Sequence, residues 1–126
     1  MPLRSVLIVE DNEVIRKALC ELFTGEGDFN VCGEAENGRE AIEKARLLRP
    51  ALIVTDLSMP LMDGPEESRI LKKILPAIPV IIYTAHSDAS VDREALAAGA
   101  SAVVSRLDAA AVLIAKAREL LDEIAA

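Results

Sequence analysis

Five short apolar runs, each followed by a segment with helical periodicity, constrain the fold of this chain more than any other feature. The runs lie at 5–9, 29–35, 51–55, 79–83 and 100–104. Short apolar runs bounded by turn residues are typical of strands that are buried on both faces of a sheet. Alternation of such strands with helices produces a parallel sheet covered by helices on both faces. Five units are too few for an eight-fold barrel, so we predict a doubly wound α/β fold.

The helical segments begin and end at residues that favour helix termini. Helices are predicted over 14–23, after the caps Asn37 and Asp108, after Pro65, and over 88–98. Gly25 is expected to end the first helix with a positive φ, and Gly99 is expected to stop the fourth helix. The side chains expected to face inward repeat with the helical period. In the first, second, third and last helices they are Val14, Ile15, Ala18, Leu19, Leu22, Phe23; Ala41, Ile42, Ala45, Leu48; Ile70, Leu71, Ile74; and Ala110, Leu113, Ala117, Leu120, Ile124.

Composition narrows the classes of protein to which the chain can belong. Its 126 residues fit one domain, predicted to span 1–126, and its 52% hydrophobic but 2% aromatic content requires an aliphatic core. The net charge of −7 argues against nucleic-acid binding, and Cys20 and Cys32 are too far apart for a C-x-x-C motif. A single histidine excludes a multi-histidine metal site. No apolar run reaches the roughly 18 residues of a membrane span, and no signal peptide is evident, so a cytoplasmic protein is expected.

The segment 51–64 is the one around which the other candidate residues are arranged. An apolar run ends at Asp56 and then turns through Ser58, Pro60 and the pair Asp63-Gly64. An acid at the carboxyl end of a buried strand lies where open α/β sheets bind their ligands. An ordinary capping role for Asp56 is the alternative.

Polar residues follow the other strands in the same way. Glu10 and Asp11 follow the first strand, Thr84 the fourth and Arg106 the fifth. In the strand order 2-1-3-4-5, the first and third strands are neighbours, so three carboxylates converge in one crevice. Carboxylates so close together need a positive partner, and oxygen-only ligation favours Mg²⁺ with a phosphoryl group as its companion. One of these carboxylates could act as a nucleophile toward phosphorus and form an aspartyl phosphate, with Thr84 and Arg106 contacting phosphoryl oxygens.

Each of these residues also has a plainer interpretation. Glu10 and Asp11 could place negative charge in the first turn of a helix, a contribution of about 0.3–1 kcal/mol. Thr84 could satisfy the backbone at a strand end, and Arg106 could be an exposed charge. The convergence of all of them on one sheet edge favours the phosphate site.

The chain resembles the receiver domain of bacterial two-component response regulators over nearly its whole length. The resemblance depends on Leu7-Ile-Val-Glu-Asp11, the stretch from Asp56 to Pro60 with Asp63-Gly64, Tyr83-Thr-Ala85 and Gly99-Ala100. It implies a flavodoxin-like fold, with Asp56 as phosphoacceptor and Asp11 as a direct Mg²⁺ ligand. It also implies that Glu10 acts mainly through water, that the Ser58 carbonyl completes the ligands, and that the Thr84 hydroxyl turns toward the phosphoryl group.

Two positions depart from the pattern of that family. The family has lysine followed by proline, often with a cis peptide, where this chain has Arg106 and Leu107. A strand-five aromatic is replaced by Val103. Both departures concern signal transmission more than phosphoryl acceptance.

The predicted function is therefore phosphorelay signalling: Mg²⁺-dependent phosphorylation of Asp56 by a histidine kinase or phosphotransfer protein, with an unidentified downstream protein target. A homodimer through helix 4, strand 5 and helix 5 is possible. An aspartate-based phosphatase or mutase would need a second acid where Ser58 stands, so the chain is not expected to be an enzyme beyond its own phosphoryl transfer and slow dephosphorylation. A flavin-binding role lacks aromatic residues for stacking. A pseudo-receiver that binds partners without phosphorylation is the remaining alternative.

Overall fold

The computed structural model describes residues 3–56, 62–85 and 87–125. Within these ranges five strands alternate with five helices. In chain order the elements are β1 (Arg4–Val9), α1 (Glu13–Thr24), β2 (Phe29–Ala35), α2 (Gly38–Leu48), β3 (Leu52–Thr55), α3 (Gly64–Ile74), β4 (Val80–Thr84), α4 (Ala89–Ala97), β5 (Ala102–Ser105) and α5 (Ala110–Ala125). The predicted alternation of strands and helices is confirmed.

The strands form one parallel sheet in the order β2-β1-β3-β4-β5, as predicted. The chain order therefore reverses between β1 and β3, which are direct neighbours. Val9 at the end of β1 pairs with Thr55 at the end of β3, and Thr55 pairs in turn with Ile82. This register brings the residues that follow β1 and β3 side by side.

Alternate side chains of each central strand enter two different apolar clusters. On one face, Val6 and Ile8 of β1 pack with Phe23 of α1 and Leu113 of α5. On the other face Leu7 and Val9 belong to a cluster that also contains Ala41 and Ala45 of α2, Leu71 of α3, and Leu75, which follows α3. Small alanines at the inner positions of α2 let that helix approach the sheet closely. The two clusters explain why the strands have nearly continuous apolar sequences.

Side-chain caps fix the beginnings of four helices at the sheet edge where the strands end. Asn12, Asn37, Asp63 and Asp88 each accept a hydrogen bond from the backbone N–H three residues later. The predicted cap Asn37 is thus confirmed. Pro65 lies in the first turn of α3, as expected.

Several sequence expectations are wrong in detail. Gly25 follows α1 with a φ of −66°, and the positive φ belongs to Gly27 in the next turn. Asp108 does not cap the last helix, because α5 begins only at Ala110 and the Asp108 N–H bonds to the Ser105 carbonyl in a turn. β5 also begins two residues later than predicted.

The predicted inner faces also need correction. Val14, Ala18, Leu48, Ile74, Ala110 and Ile124 are exposed. In their place Arg16 of α1, Glu67 and Ser68 of α3, and Ile114 and Leu121 of α5 are buried. The centres of the predicted faces are buried, including Leu19, Phe23, Ala45, Leu71 and Leu113, so each apolar stripe is wider than the face that contacts the sheet. None of the helices within the described ranges has the length and hydropathy that a bilayer span requires.

Candidate functional site

The ends of β1 and β3 bring three carboxylates together. Glu10 and Asp11 follow β1 directly, and Asp56 follows β3. One carboxylate oxygen from each of the three residues lies within 4.8 Å of the others. The adjacent register of the two strands, set by the Val9–Thr55 pair, produces this cluster. The convergence expected from the parallel sheet is therefore what the structure has.

Glu10 is the buried member of the cluster, with 1% of its surface exposed. Its backbone N–H bonds to the Ala35 carbonyl of β2 at 3.0 Å, and its Oε2 accepts from the Asn12 N–H at 3.0 Å. Burial is the main reason why the pKa of Glu10 is raised, and the neighbouring Asp11 and Asp56 act in the same direction. The hydrogen bonds from Asn12 and Arg106 oppose this rise in pKa.

Arg106 supplies the positive charge among the carboxylates. Its backbone N–H bonds to the Thr84 carbonyl at 2.8 Å, which fixes the start of the turn after β5. Its guanidinium donates to Glu10 Oε1, and Nη2 lies 3.5 Å from Asp56 Oδ1. The guanidinium carbon also lies 5.4 Å from the centre of the Tyr83 ring. The interpretation of Arg106 as an exposed charge is therefore wrong, since only 19% of its side chain is exposed.

Of the remaining candidate residues, the structure describes Thr84, Asp11 and Asp56. Thr84 is the last residue of β4 and is fully buried, next to the strand end from which Arg106 projects. Ser58, the predicted carbonyl ligand, lies outside the described residues, as does His86. Asp11 is exposed, and Asp56 is only partly exposed. The crevice is thus open to solvent on the Asp11 side.

Arg16 is a site residue that the sequence interpretation missed. It is 7% exposed, and its Nη1 donates to the Glu10 carbonyl at 2.9 Å while Nε donates to Glu34 at 3.0 Å. The bond to the Glu10 carbonyl fixes the turn that carries Glu10 and Asp11. A signal was present in the sequence, because Arg16 precedes Leu19 and Phe23 by three and seven residues on the buried stripe of α1.

The donor set fits a hard divalent cation. All three clustered side chains offer carboxylate oxygens, the ligand type that Mg²⁺ prefers, and the exposed side of Asp11 leaves room for water. Three carboxylates with one arginine leave a net negative site. A phosphoryl group alone would be repelled there, whereas a cation and a phosphoryl group together would be accommodated.

Comparisons with known proteins agree with this geometry. Residues 6–118 match the family described as "Response regulator receiver domain". The chain is 40% identical over 97% of its length to "Protein-glutamate methylesterase/protein-glutamine glutaminase 3" of Paramagnetospirillum magneticum, covering 34% of that protein. It is 36% identical over 87% of its length to "Response regulator protein VraR" of Staphylococcus saprophyticus, covering 52% of that protein.

A solved structure shows the same architecture. The crystal structure of a two-component response regulator of the LuxR family from Aurantimonas sp. superposes with a TM-score of 0.93 and 26% identity, covering 96% of this chain and 86% of that one. The chain spans about a third of the length of the Paramagnetospirillum relative and about half of the length of the Staphylococcus relative.

Proposed function

Because the chain belongs to the response regulator receiver domain family, we propose that it is a phosphorylation-controlled switch in a phosphorelay. Asp56 accepts a phosphoryl group from a phosphohistidine of a sensor histidine kinase or phosphotransfer protein. The observation that supports this most strongly is the juxtaposition of the Glu10, Asp11 and Asp56 carboxylates around Arg106 at one sheet edge.

The same carboxylates would hold Mg²⁺. Asp11 and Asp56 would bind the ion directly, Glu10 would act mainly through water, and the Ser58 carbonyl would complete the protein ligands. When bound, Mg²⁺ neutralises negative charge on the phosphoryl oxygens during transfer. Asn12 and Arg16 hold the Glu10 turn in place through their bonds to its side chain and carbonyl.

In the transfer step a carboxylate oxygen of Asp56 forms a bond to phosphorus. The bond between phosphorus and the donor's histidine nitrogen breaks, and that nitrogen leaves with the bonding electron pair. Arg106 is close enough to Asp56 to move from its carboxylate partners to a phosphoryl oxygen. Thr84, buried at the end of β4, would supply the hydroxyl that senses the phosphoryl group.

We propose a switch and not an enzyme acting on other molecules. Position 58 is a serine, so the second acid that a phosphatase or mutase would use as proton donor is missing there. The aspartyl phosphate should then persist long enough to act as a signal. The second candidate function is a pseudo-receiver that binds partners without phosphorylation, favoured by the contacts that Arg106 already makes with Glu10 and Asp56.

We further propose that residues 1–126 act as one receiver domain in the cytoplasm. The output would be a contact with a protein partner or a second copy through the surface of α4, β5 and α5. The net charge of −7 argues against nucleic-acid binding by this domain.

Intact mass spectrometry with a small phosphodonor tests the proposal. The wild-type chain should gain one phosphoryl group with Mg²⁺ and none after its removal by a chelator, and Asp56→Asn should gain none. Asp63→Asn is the matched control, because it removes a neighbouring carboxylate whose observed role is to cap α3. Equal labelling of Asp56→Asn would overturn the assignment, and unlabelled wild-type protein would favour the pseudo-receiver.

A further inference from the structure

Glu67 of α3 is a fully buried carboxyl group that the proposed mechanism does not use. Its Oε1 accepts a hydrogen bond from the Thr55 hydroxyl at 2.8 Å. Its Oε2 is also buried, and no residue in the described part of the chain hydrogen-bonds to it. A buried polar group of this kind is costly, so its presence calls for a compensating role.

The surroundings of Glu67 are apolar. Leu71, one helical turn further along α3, and Val9, the β1 partner of Thr55, both belong to the apolar cluster between the sheet and α2 and α3. Burial raises the pKa of Glu67 to about 8, against the opposing effect of the Thr55 hydrogen bond. Among the charged side chains of the neighbouring elements, Lys44 of α2 pairs with Glu40, and Lys72 and Lys73 of α3 are exposed. Glu67 is therefore mainly uncharged near pH 7.

The hydrogen bond joins two points on either side of the phosphoacceptor segment. Thr55 is the last residue of β3 and immediately precedes Asp56, while Glu67 lies in the first turns of α3. Residues 56–63 connect the two elements. Asp63 fixes the α3 end of this connection by accepting from the Glu66 N–H at 2.9 Å. The Thr55–Glu67 bond fixes the β3 end.

We propose that Glu67 is a positioning residue, which holds the end of β3 through Thr55 so that the Asp56 carboxylate meets those of Glu10 and Asp11. This inference builds on the proposed function, since Asp56 is there the phosphoacceptor. It acts through the backbone: the hydroxyl of Thr55 is tied to α3, and the peptide that follows Thr55 carries Asp56. A bond made by two neutral groups leaves the net charge of the carboxylate site unchanged.

A role for Glu67 as mere core filler leads to different expectations. Methionine has a similar shape and no charge, so a filler role predicts that Glu67→Met is more stable and unchanged at the site. The positioning role predicts damage at Asp56 despite that stability. Thr55→Val, which replaces only the hydroxyl by a methyl group, removes the same bond from the other side.

The test measures amide hydrogen exchange at residues 55 and 56 in the Mg²⁺-free protein and, separately, the phosphorylation rate from a small phosphodonor in the presence of Mg²⁺. Glu67→Met and Thr55→Val should each increase exchange at these amides and lower the phosphorylation rate by about 5-fold, the effect of losing one neutral hydrogen bond. The double variant should be no worse than either single one. Glu67→Gln, which keeps a neutral acceptor, should stay at the wild-type level.

Wild-type exchange and rate in Glu67→Met would overturn the positioning role. If the exchange responses appear but the wild type takes no phosphoryl group, the proposed function fails and the positioning role stands. If the wild type is phosphorylated and Glu67→Met matches it in exchange and rate, the positioning role fails and the proposed function stands.

Discussion

Arg106 links the carboxylate cluster to β5 in the unphosphorylated protein. Its guanidinium contacts Glu10 and Asp56 at once, and both contacts are made by Nη2. The contact relieves repulsion among the carboxylates, and it also occupies oxygens that a metal ion would need. We therefore expect the side chain to compete with Mg²⁺ in the free protein and, under the proposed function, to contact the phosphoryl group after transfer.

Removing this competitor should tighten metal binding. We predict that Arg106→Gln binds Mg²⁺ about 3- to 10-fold more tightly than the wild type, because a unit charge close to the ligand oxygens is lost. Isothermal titration calorimetry at fixed ionic strength measures the affinity. Arg118→Gln is the control, since it removes the same charge from a side chain paired with Glu26 and Asp28. If both variants bind Mg²⁺ more tightly by the same factor, the loss of net charge alone explains the change and competition by Arg106 does not.

Arg106→Lys tests the transmission of the signal. The change keeps the positive charge, so we expect phosphorylation at Asp56 to persist while its effect on Thr84 and β5 changes. Wild-type coupling should be modest, about 1–3 kcal/mol or less, because Val103 replaces the family's aromatic. The measurement is the phosphorylation-induced NMR shift around Thr84 in both proteins. Identical shifts would mean that Arg106 does not contact the phosphoryl group.

Among the described residues, α4 packs into the smallest of the three apolar clusters. It packs through a small cluster of Ile82, Ala95 and Ala100, with Val103 partly buried against it. The clusters under the other helices are larger and contain leucine, isoleucine and phenylalanine. Alanine contacts bury little area, so α4 can shift at low cost. Leu96 on its outer side is 49% exposed and offers an apolar contact to a partner.

Phosphorylation should therefore alter α4 and β5 more than the opposite side of the sheet. We predict larger changes in amide exchange within α4 and β5 than within α1 and α2, because the small α4 cluster adjoins the Thr84 and Arg106 strand ends. Exchange is measured with and without phosphodonor, and Asp56→Asn serves as the unphosphorylated control. An even distribution over the helices would contradict a localised output surface.

The position of Asp56, Glu10 and Thr84 was predictable because parallel strands end at a common edge, whatever the packing of the helices. The strand order 2-1-3-4-5 was the assumption under which the acids after β1 and β3 converge, and the structure confirms that order. Glu67 was not predictable, since a polar residue in a helical pattern is normally assigned to the exposed face. Arg16 was missed for the same reason. Asp108 failed as a cap because the turn after β5 is longer than the sequence indicates, and Gly25 because the turn places its positive φ at Gly27.

Carboxyl groups with lowered and with raised pKa values make opposite contributions to the pH dependence of the free energy of unfolding. Hydrogen bonds from Lys17 and Lys44 lower the pKa of Glu34 and Glu40 respectively. These two carboxylates stabilise the folded state at pH values above their pKa in the unfolded chain. This stabilisation is lost as the pH falls through their lower pKa in the folded chain. Glu67 acts oppositely, because the folded chain retains a proton that the unfolded chain releases above pH 4.5. Its contribution falls as the pH rises from 4.5 to about 8.

Neutralising Glu67 should flatten the alkaline part of this profile. We predict that the free energy of unfolding of Glu67→Gln, relative to wild type, rises with pH up to about 8 and then stays constant. The slope for one group is at most about 1.4 kcal/mol per pH unit. Urea unfolding at pH 5, 6, 7, 8 and 9 gives the profile. Glu66→Gln, at the adjacent exposed position, is the control and should leave the slope unchanged. A parallel profile for Glu67→Gln would contradict the buried, protonated state.

The most direct test of Asp56 as phosphoacceptor is chemical localisation of the phosphoryl group. Borohydride reduces an aspartyl phosphate to homoserine, which peptide mass spectrometry assigns to a single position. After incubation with a small phosphodonor and Mg²⁺, we predict homoserine at position 56 and none at the positions of Asp11 or Asp63. No homoserine should form when Mg²⁺ is removed. Homoserine at another aspartate, or its absence from position 56 in protein that has gained a phosphoryl group, would contradict the account.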